Sequence, residues 1–301
     1  MKIITQDSSF LKLRAAVWDE VDNPKGTVQI AHGLVEHHGR YKELANFLNQ
    51  NRYVVFCNDH LGHGLHIQNG MQKGYFSDED GYENVVNQFG EMNAFIRKNY
   101  PLKKHFLLGH SLGTAISLSF LKRNVAYDGV VLSAPFLLDP IMSFLQGLLL
   151  WPEYKFFGKK YYSKQMEEAT TKRNNSFFKP NRTTHDYLSR DKERVDNYIS
   201  DPNCGFENTT QLWRDLKDGI SGLHSKQSLE KIDQETIFCL LSGDNDPINS
   251  KGKQAEKIHH SLLELGMKSE LKIFKGMRHE PFNELGRKKV YEYILNFFNN
   301  S

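Results

Sequence analysis

The stretch from His105 to Leu118 reads His-Phe-Leu-Leu-Gly-His-Ser-Leu-Gly-Thr-Ala-Ile-Ser-Leu, with Gly109-His110-Ser111-Leu112-Gly113 between an apolar run and a helical pattern. This is a G-x-S-x-G pentapeptide at a strand-to-helix turn, the context of a nucleophile elbow. A turn that sharp strains the serine backbone, and glycines two residues to either side remove the collisions a Cβ would cause. The geometry lifts the hydroxyl above the sheet and puts a helix N-terminus, with its partial positive charge, beneath the reacting centre. A serine hydroxyl is a weak nucleophile at neutral pH until a base takes its proton. The chemistry expected is therefore acyl transfer through Ser111, aided by a histidine and an acid further along the chain. A chance pentapeptide in an ordinary turn is the alternative. The strand before it and Ala115 after it, which permits close packing, favour the catalytic reading; Ser117 and Ser119 read as structural.

The acid should lie in Ser242-Gly-Asp-Asn-Asp-Pro247, which follows the apolar run Ile237–Leu241. That position is the C-terminal edge of a strand, where the ligand sites of open α/β sheets lie. Asp246 is the expected residue because Pro247 fixes the turn after it; Asp244, directly after Gly243, is the fallback and could simply cap the turn. The base should be His279, in the loop Lys275-Gly-Met-Arg-His-Glu-Pro-Phe-Asn-Glu284 after the run Leu271–Phe274. With an ordinary pKa of about 6.5, an imidazole can take the serine proton and return it to the leaving group. The acid accepts the Nδ1 hydrogen, holding the useful tautomer and stabilising the imidazolium. The order Ser111, Asp246, His279 is the one these partners take after a nucleophile elbow, and that order sets His279 apart from the other histidines among 13. His32-Gly33 follows another early apolar run, so the backbone N–H groups of Leu34 and Leu112 are the expected oxyanion donors.

Histidines 32, 37, 38, 60 and 63 invite a metal reading, above all in Asp59-His-Leu-Gly-His-Gly-Leu-His66. A glycine-interrupted loop beside a serine triad favours hydrogen bonds that stabilise turns. No Cys/His spacing resembles a zinc site, so no metal is expected, and two-step acyl transfer to water needs no organic cofactor.

Elements must position these groups. Short apolar runs recur at Val28–Ile30, Tyr53–Cys57, His105–Leu108, Val130–Leu132 and Ile237–Leu241, separated by helical patterns near 41–50, 82–99, 112–123, 252–265 and 284–298. Runs without polar alternation suit strands covered on both faces, and their alternation with helices predicts right-handed βαβ units around a mostly parallel sheet. The alternation stops between Phe136 and Gln234, a segment rich in aromatic and charged residues. The expected organisation is an α/β core over residues 1–135 and 235–301, interrupted by a mainly helical insertion over 136–234 that packs on it.

Composition limits the partners. Thirty-nine basic against 36 acidic residues leaves a net charge of +3, too slight to suggest nucleic acid. No apolar stretch approaches the ~20 residues of a membrane span. Residues Met1 to Phe10 lack the order of a signal peptide, and Cys57 and Cys239 read as small apolar strand residues, so a cytoplasmic protein is expected.

Together these motifs resemble the monoacylglycerol lipase and lysophospholipase family of α/β hydrolases, which is similar to the S33 serine aminopeptidases. The likeness rests on HGLVEHHGRY at 32–41, DHLGHG at 59–64, GHSLG at 109–113, SAP at 133–135, SGDNDP at 242–247 and GMRHEPFNE at 276–284. It implies the α/β-hydrolase fold, with Ser111, Asp246 and His279 where the family's triad stands and Leu34 and Leu112 where its oxyanion donors stand. Glu36 and Arg40 match the run whose side chains lie near the glycerol pocket in monoglyceride-cleaving relatives; an internal ion pair is the alternative. The run DHLGHGLH departs from the family in lacking the small residue and serine that often follow. The insertion matches the family's cap in position. Its Pro140–Trp151 stretch is dense in apolar residues, which fits either a lid helix that lines an acyl channel and touches membranes or micelles, or a helix buried between cap and sheet. The resemblance implies a small lipid ester as substrate, monoacylglycerol or lysophospholipid. An S33-type aminopeptidase, with Glu36 holding a free amine, and a short-chain carboxylesterase are the rivals.

Overall fold

In the computed structural model, which describes residues 1–138 and 140–301, one eight-stranded sheet runs in the order β1-β2-β4-β3-β5-β6-β7-β8. The strands are β1 Lys2–Gln6, β2 Leu13–Trp18, β3 Gly26–Ala31, β4 Tyr53–Asn58, β5 His105–His110, β6 Gly129–Ser133, β7 Phe238–Gly243 and β8 Ser269–Phe274. From β4 to β8 every neighbouring pair is parallel, whereas β1 pairs with β2, and β2 with β4, antiparallel. The sheet is thus mostly parallel, as expected. The N-terminal hairpin of β1 and β2 is an addition that the apolar runs did not reveal.

The unbroken apolar runs have a simple cause: successive residues face two different cores. In β5, Leu107 joins one apolar cluster while Phe106 and Leu108 join the other; in β7, Phe238 and Leu240 face the first and Cys239 and Leu241 the second. Helices cover both faces. Gly81–Asn99, Leu112–Leu121 and Lys253–Glu264 contribute to the first cluster, Lys42–Gln50 and Arg287–Asn300 to the second. The helix Leu112–Leu121 is buried at all ten positions, which explains why its sequence has no polar face. Cys57 and Cys239 are free and fully buried in their strands.

Between β6 and β7 the described residues form helices, including Pro140–Phe157, Lys192–Ser200 and Thr210–Ile220, and no named strand. Their starts follow local hydrogen bonding: the Asp191 and Thr209 side chains accept from the N–H of Arg194 and Leu212, two of the donors a helix start leaves unpaired. Leu212, Leu216 and Ile220 from Thr210–Ile220 enter the same apolar cluster as Phe76, Tyr82 and Leu112, so this segment packs directly on the sheet unit. Helix Pro140–Phe157 inverts the usual pattern. Ile141, Phe144, Leu145, Leu148 and Trp151 lie on one face and are exposed, Phe144 at 72%, while Ser143 and Glu153 are buried.

Candidate active site

The loops after β3, β5, β7 and β8 meet at the carboxyl edge of the parallel strands, where such sheets place their ligand sites. Ser111 sits between β5 and helix Leu112–Leu121 with φ 49° and ψ −117°, a backbone conformation that a non-glycine residue rarely adopts. Its N–H donates to the Ser133 carbonyl at the end of β6, 2.9 Å away, which holds the turn. The flanking glycines are needed for close approach. A Cβ on Gly109 would lie 2.6 Å from the Gly113 carbonyl oxygen, and one on Gly113 would collide with the Ala31 carbonyl of β3.

His279 Nε2 lies 3.0 Å from Ser111 Oγ, and His279 Nδ1 lies 2.8 Å from Asp246 Oδ2. A carboxylate only accepts, so Nδ1 carries the hydrogen and Nε2 is left to accept from the hydroxyl. Asp246 is wholly buried and His279 nearly so, and the other Asp246 oxygen accepts from Ile248 N–H at 2.9 Å. Asp244 faces elsewhere: its Oδ1 accepts from Gly276 N–H at 2.6 Å and caps the turn after β8. Burial alone would lower the His279 pKa; the charge and hydrogen bond of Asp246, then the charges of Glu280 and Glu36, outweigh it and raise the pKa above its ordinary value. His110, with its ring 5.2 Å from that of His279, is pushed down to about 3 by burial and stays neutral.

Ser111 and His279 open onto a cavity of about 460 Å³, within the range of small-molecule sites. Its lining includes apolar side chains, among them Phe136, Leu138, Met142, Trp213, Leu216 and Ile248, and polar ones, among them Glu167, Thr171, Asn174 and His185. Leu34 and Leu112 both line it, and the Leu112 N–H belongs to a helix's first turn, whose N–H groups have no intrahelical acceptor.

Glu36 also lines the cavity, but its carboxylate is engaged. Oε1 accepts from Gly33 N–H at 2.6 Å and from the Tyr41 hydroxyl at 2.8 Å, and Oε2 accepts from Arg40 at 3.0 Å. Arg40 turns to Glu280 and lies over the Tyr198 ring, 4.7 Å from its centroid. The internal ion pair is therefore present. Sequence reasoning did not bring out Glu280 or His110, although each lies next to a residue it singled out.

The histidine-rich loops are held by hydrogen bonds. His38 donates from its backbone N–H and its ring to Asp59, and His60 N–H donates to the His32 ring. Burial keeps His60, His63 and His66 neutral, at about 3, 4 and 4. Among the described residues, the donor atoms of His37, Asp201 and Cys204 lie within 4.8 Å of one another, a grouping that linear spacing could not show. The His37 ring is already satisfied: Nδ1 accepts from Gly39 N–H and Nε2 donates to Asp201 at 2.9 Å.

Comparison with known proteins agrees with this layout. The family described as "Serine aminopeptidase, S33" matches residues 22–286. Monoglyceride lipase of Mus musculus is 30% identical over 293 residues, covering 94% of this chain and 84% of that protein. A thermostable carboxyl esterase from Bacillus coagulans superposes with a TM-score of 0.91 at 22% identity, covering 99% of this chain and 98% of that one. Monoacylglycerol lipase from Paleococcus ferrophilus superposes at 0.69 with 24% identity, covering 96% and 98%. The fold is that of the α/β hydrolases, and the chain belongs to the serine aminopeptidase S33 family that includes the monoacylglycerol lipases.

Proposed function

We propose that this carboxylic ester hydrolase cleaves esters of single-chain lipids, monoacylglycerol or lysophospholipid. The observation that carries the proposal is the hydrogen-bonded chain from Ser111 through His279 to Asp246, opening onto a cavity lined by both apolar and polar side chains. In the reaction, Ser111 Oγ attacks the ester carbonyl as His279 takes its proton, and the N–H groups of Leu34 and Leu112 hold the developing oxyanion. His279 returns the proton to the leaving alcohol, leaving an acyl-serine. Water then attacks the acyl carbon with its proton passing to His279, and Ser111 leaves as the proton returns to it, releasing the fatty acid. No metal or organic cofactor enters these steps.

Residues 136–234 act as a cap in this proposal. Met142 and Gln146 of helix Pro140–Phe157 line the cavity while Ile141, Phe144, Leu148 and Trp151 face outward. Such a helix can rest its exposed face on a membrane or micelle and pass the acyl chain inward. No described helix is long and apolar enough to cross a membrane. The setting proposed is the cytoplasm, with peripheral membrane contact through the exposed apolar face of helix Pro140–Phe157.

The peptidase rival needs a free acidic group for a substrate's amine. Of the three glutamates that line the cavity, Glu36 and Glu280 already share Arg40, which an ammonium would have to displace; Glu167, which accepts from the Thr171 hydroxyl at 3.2 Å, is the carboxylate left to the rival. Rates across monoacylglycerols and lysophospholipids of graded chain length, set against amino-acid anilides and p-nitrophenyl acetate, test the proposal. Preference for the long single-chain esters supports it; preference for the anilides, or for acetate over every lipid, overturns it.

A further inference from the structure

Arg40 stands between two carboxylates from opposite sides of the site. It donates to both oxygens of Glu280, with Nη2 to Oε2 at 2.6 Å, and to Glu36 Oε2 at 3.0 Å. All three side chains are largely withdrawn from solvent, at 9% for Arg40, 4% for Glu36 and 5% for Glu280. Glu36 in turn fixes the loop after β3 by accepting from Gly33 N–H, next to Leu34, in a stretch where Val35 has a φ of 54° that a β-branched residue rarely takes. Glu280 directly follows His279, and its N–H donates to the Leu188 carbonyl at 2.9 Å. One guanidinium thus ties the loop of Leu34 to the loop of His279. The three charges sum to one negative, +1 with −1 and −1, beside the imidazole.

We infer that Glu280 is a positioning residue for the reaction proposed above, bridging through Arg40 and Glu36 to lock the base-bearing loop to the oxyanion loop. Its residual negative charge also supports the imidazolium that forms when Ser111 gives up its proton. The inference rests on the triad reading. The charged and titratable groups facing His279 are Asp246 from the loop after β7, Glu280 on its own loop, Glu36 and Arg40 from the loop after β3, neutral His110 from β5, and Tyr187 from the inserted segment, its ring 6.4 Å away. Of these, Asp246, Glu280 and Glu36 raise the proton affinity of His279.

The test is Glu280→Gln, which keeps the shape and leaves Arg40 paired with Glu36, so no lone charge is buried. Rates are normalised to the sites titrated by a fluorophosphonate, which separates positioning from simple loss of folded enzyme. Expected are a kcat roughly tenfold lower at unchanged KM and an acid limb of kcat/KM moved down by about one pH unit, a tenfold change in proton affinity. Arg40→Lys, which keeps the charge but loses the two-pronged geometry, should lower kcat in the same sense without moving the acid limb as far. A Glu280→Gln enzyme with wild-type kcat and pH profile overturns the inference. So does a rise in KM alone, which would make Glu280 a substrate contact. Ser111→Ala is run in parallel. If it stays active, the triad reading itself has failed; if it is inactive while Glu280→Gln behaves as wild type, only the bridge has failed.

Discussion

Replacing Asp246 by asparagine exchanges one carboxylate oxygen for an NH2 group and should disable the enzyme. In the native site, Asp246 Oδ2 accepts the Nδ1 hydrogen of His279 at 2.8 Å, and the carboxylate is wholly buried. An amide can offer Nδ2–H to the ring instead, moving the imidazole hydrogen to Nε2. That nitrogen stands 3.0 Å from Ser111 Oγ and must be free to accept. The substitution also removes the counter-ion of an imidazolium formed in a nearly water-free place. Wrong tautomer and missing charge together should lower kcat about 10⁴-fold, roughly 5.5 kcal/mol of transition-state stabilisation. Asp244→Asn is the matched control. Its Oδ1 only accepts from Gly276 N–H, a bond asparagine can reproduce, so activity should stay within a few-fold of wild type. Initial rates on a soluble p-nitrophenyl ester, with far-UV circular dichroism to show folding, measure both. An Asp246→Asn enzyme keeping a tenth of wild-type activity, or an Asp244→Asn enzyme losing most of it, would refute the reasoning.

Three more outcomes follow from the same geometry. The His279 pKa is raised, and attack requires the neutral ring, so kcat/KM should fall as pH drops through a midpoint above about 6.5; a midpoint below 6 contradicts this. Arg40→Met leaves Glu36 and Glu280 buried without their cation, which should cost about 3–5 kcal/mol and lower the Tm of this 301-residue chain by roughly 5–8 °C, read by thermal denaturation. Phe144 and Leu148 are exposed, so Phe144→Ser with Leu148→Ser should leave Tm and p-nitrophenyl acetate hydrolysis unchanged. Losing two such side chains from a lipid contact should weaken vesicle co-sedimentation by about 10²-fold, and unchanged co-sedimentation counts against the lid face.

How much of this was legible in the sequence depended on whether the cause was local. The strands from β3 onward announced themselves because residues such as Phe106 and Leu107 are buried on opposite faces, leaving no polar alternation. The β1–β2 hairpin gave no such sign. Three of the five β1 residues are exposed and the other two only partly buried, and β2 reads Leu-Arg-Ala-Ala-Val-Trp, in which Ala15 and Ala16 became core only through pairing with β4 and packing against helices Gly81–Asn99 and Lys42–Gln50 on the two faces. The elbow glycines, the turn before Pro247 and the loop after β8 single out Ser111, Asp246 and His279 because each follows a readable strand, and the structure brings the three within hydrogen-bonding distance. Glu36 and Arg40 could be paired from their spacing of four. Their partner Glu280 is 240 residues away, and only the closing of the sheet brings it near. The same holds for His37 and Asp201. The helix from Pro140 leaves two alternatives open because apolar density alone does not tell an exposed face from a buried one; the exposure of Phe144 and Trp151 speaks against burial of that face between cap and sheet.

The central claim is that the hydroxyl at position 111 does the chemistry, and the most direct measurement is the mass of the peptide that carries a fluorophosphonate adduct, taken with the esterase rate of Ser111→Ala. Expected are a single adduct, on Ser111 and absent from Ser111→Ala, and a rate at least 10⁴-fold lower in the variant. An adduct on another residue, or a variant retaining more than a few per cent of wild-type activity, would contradict it.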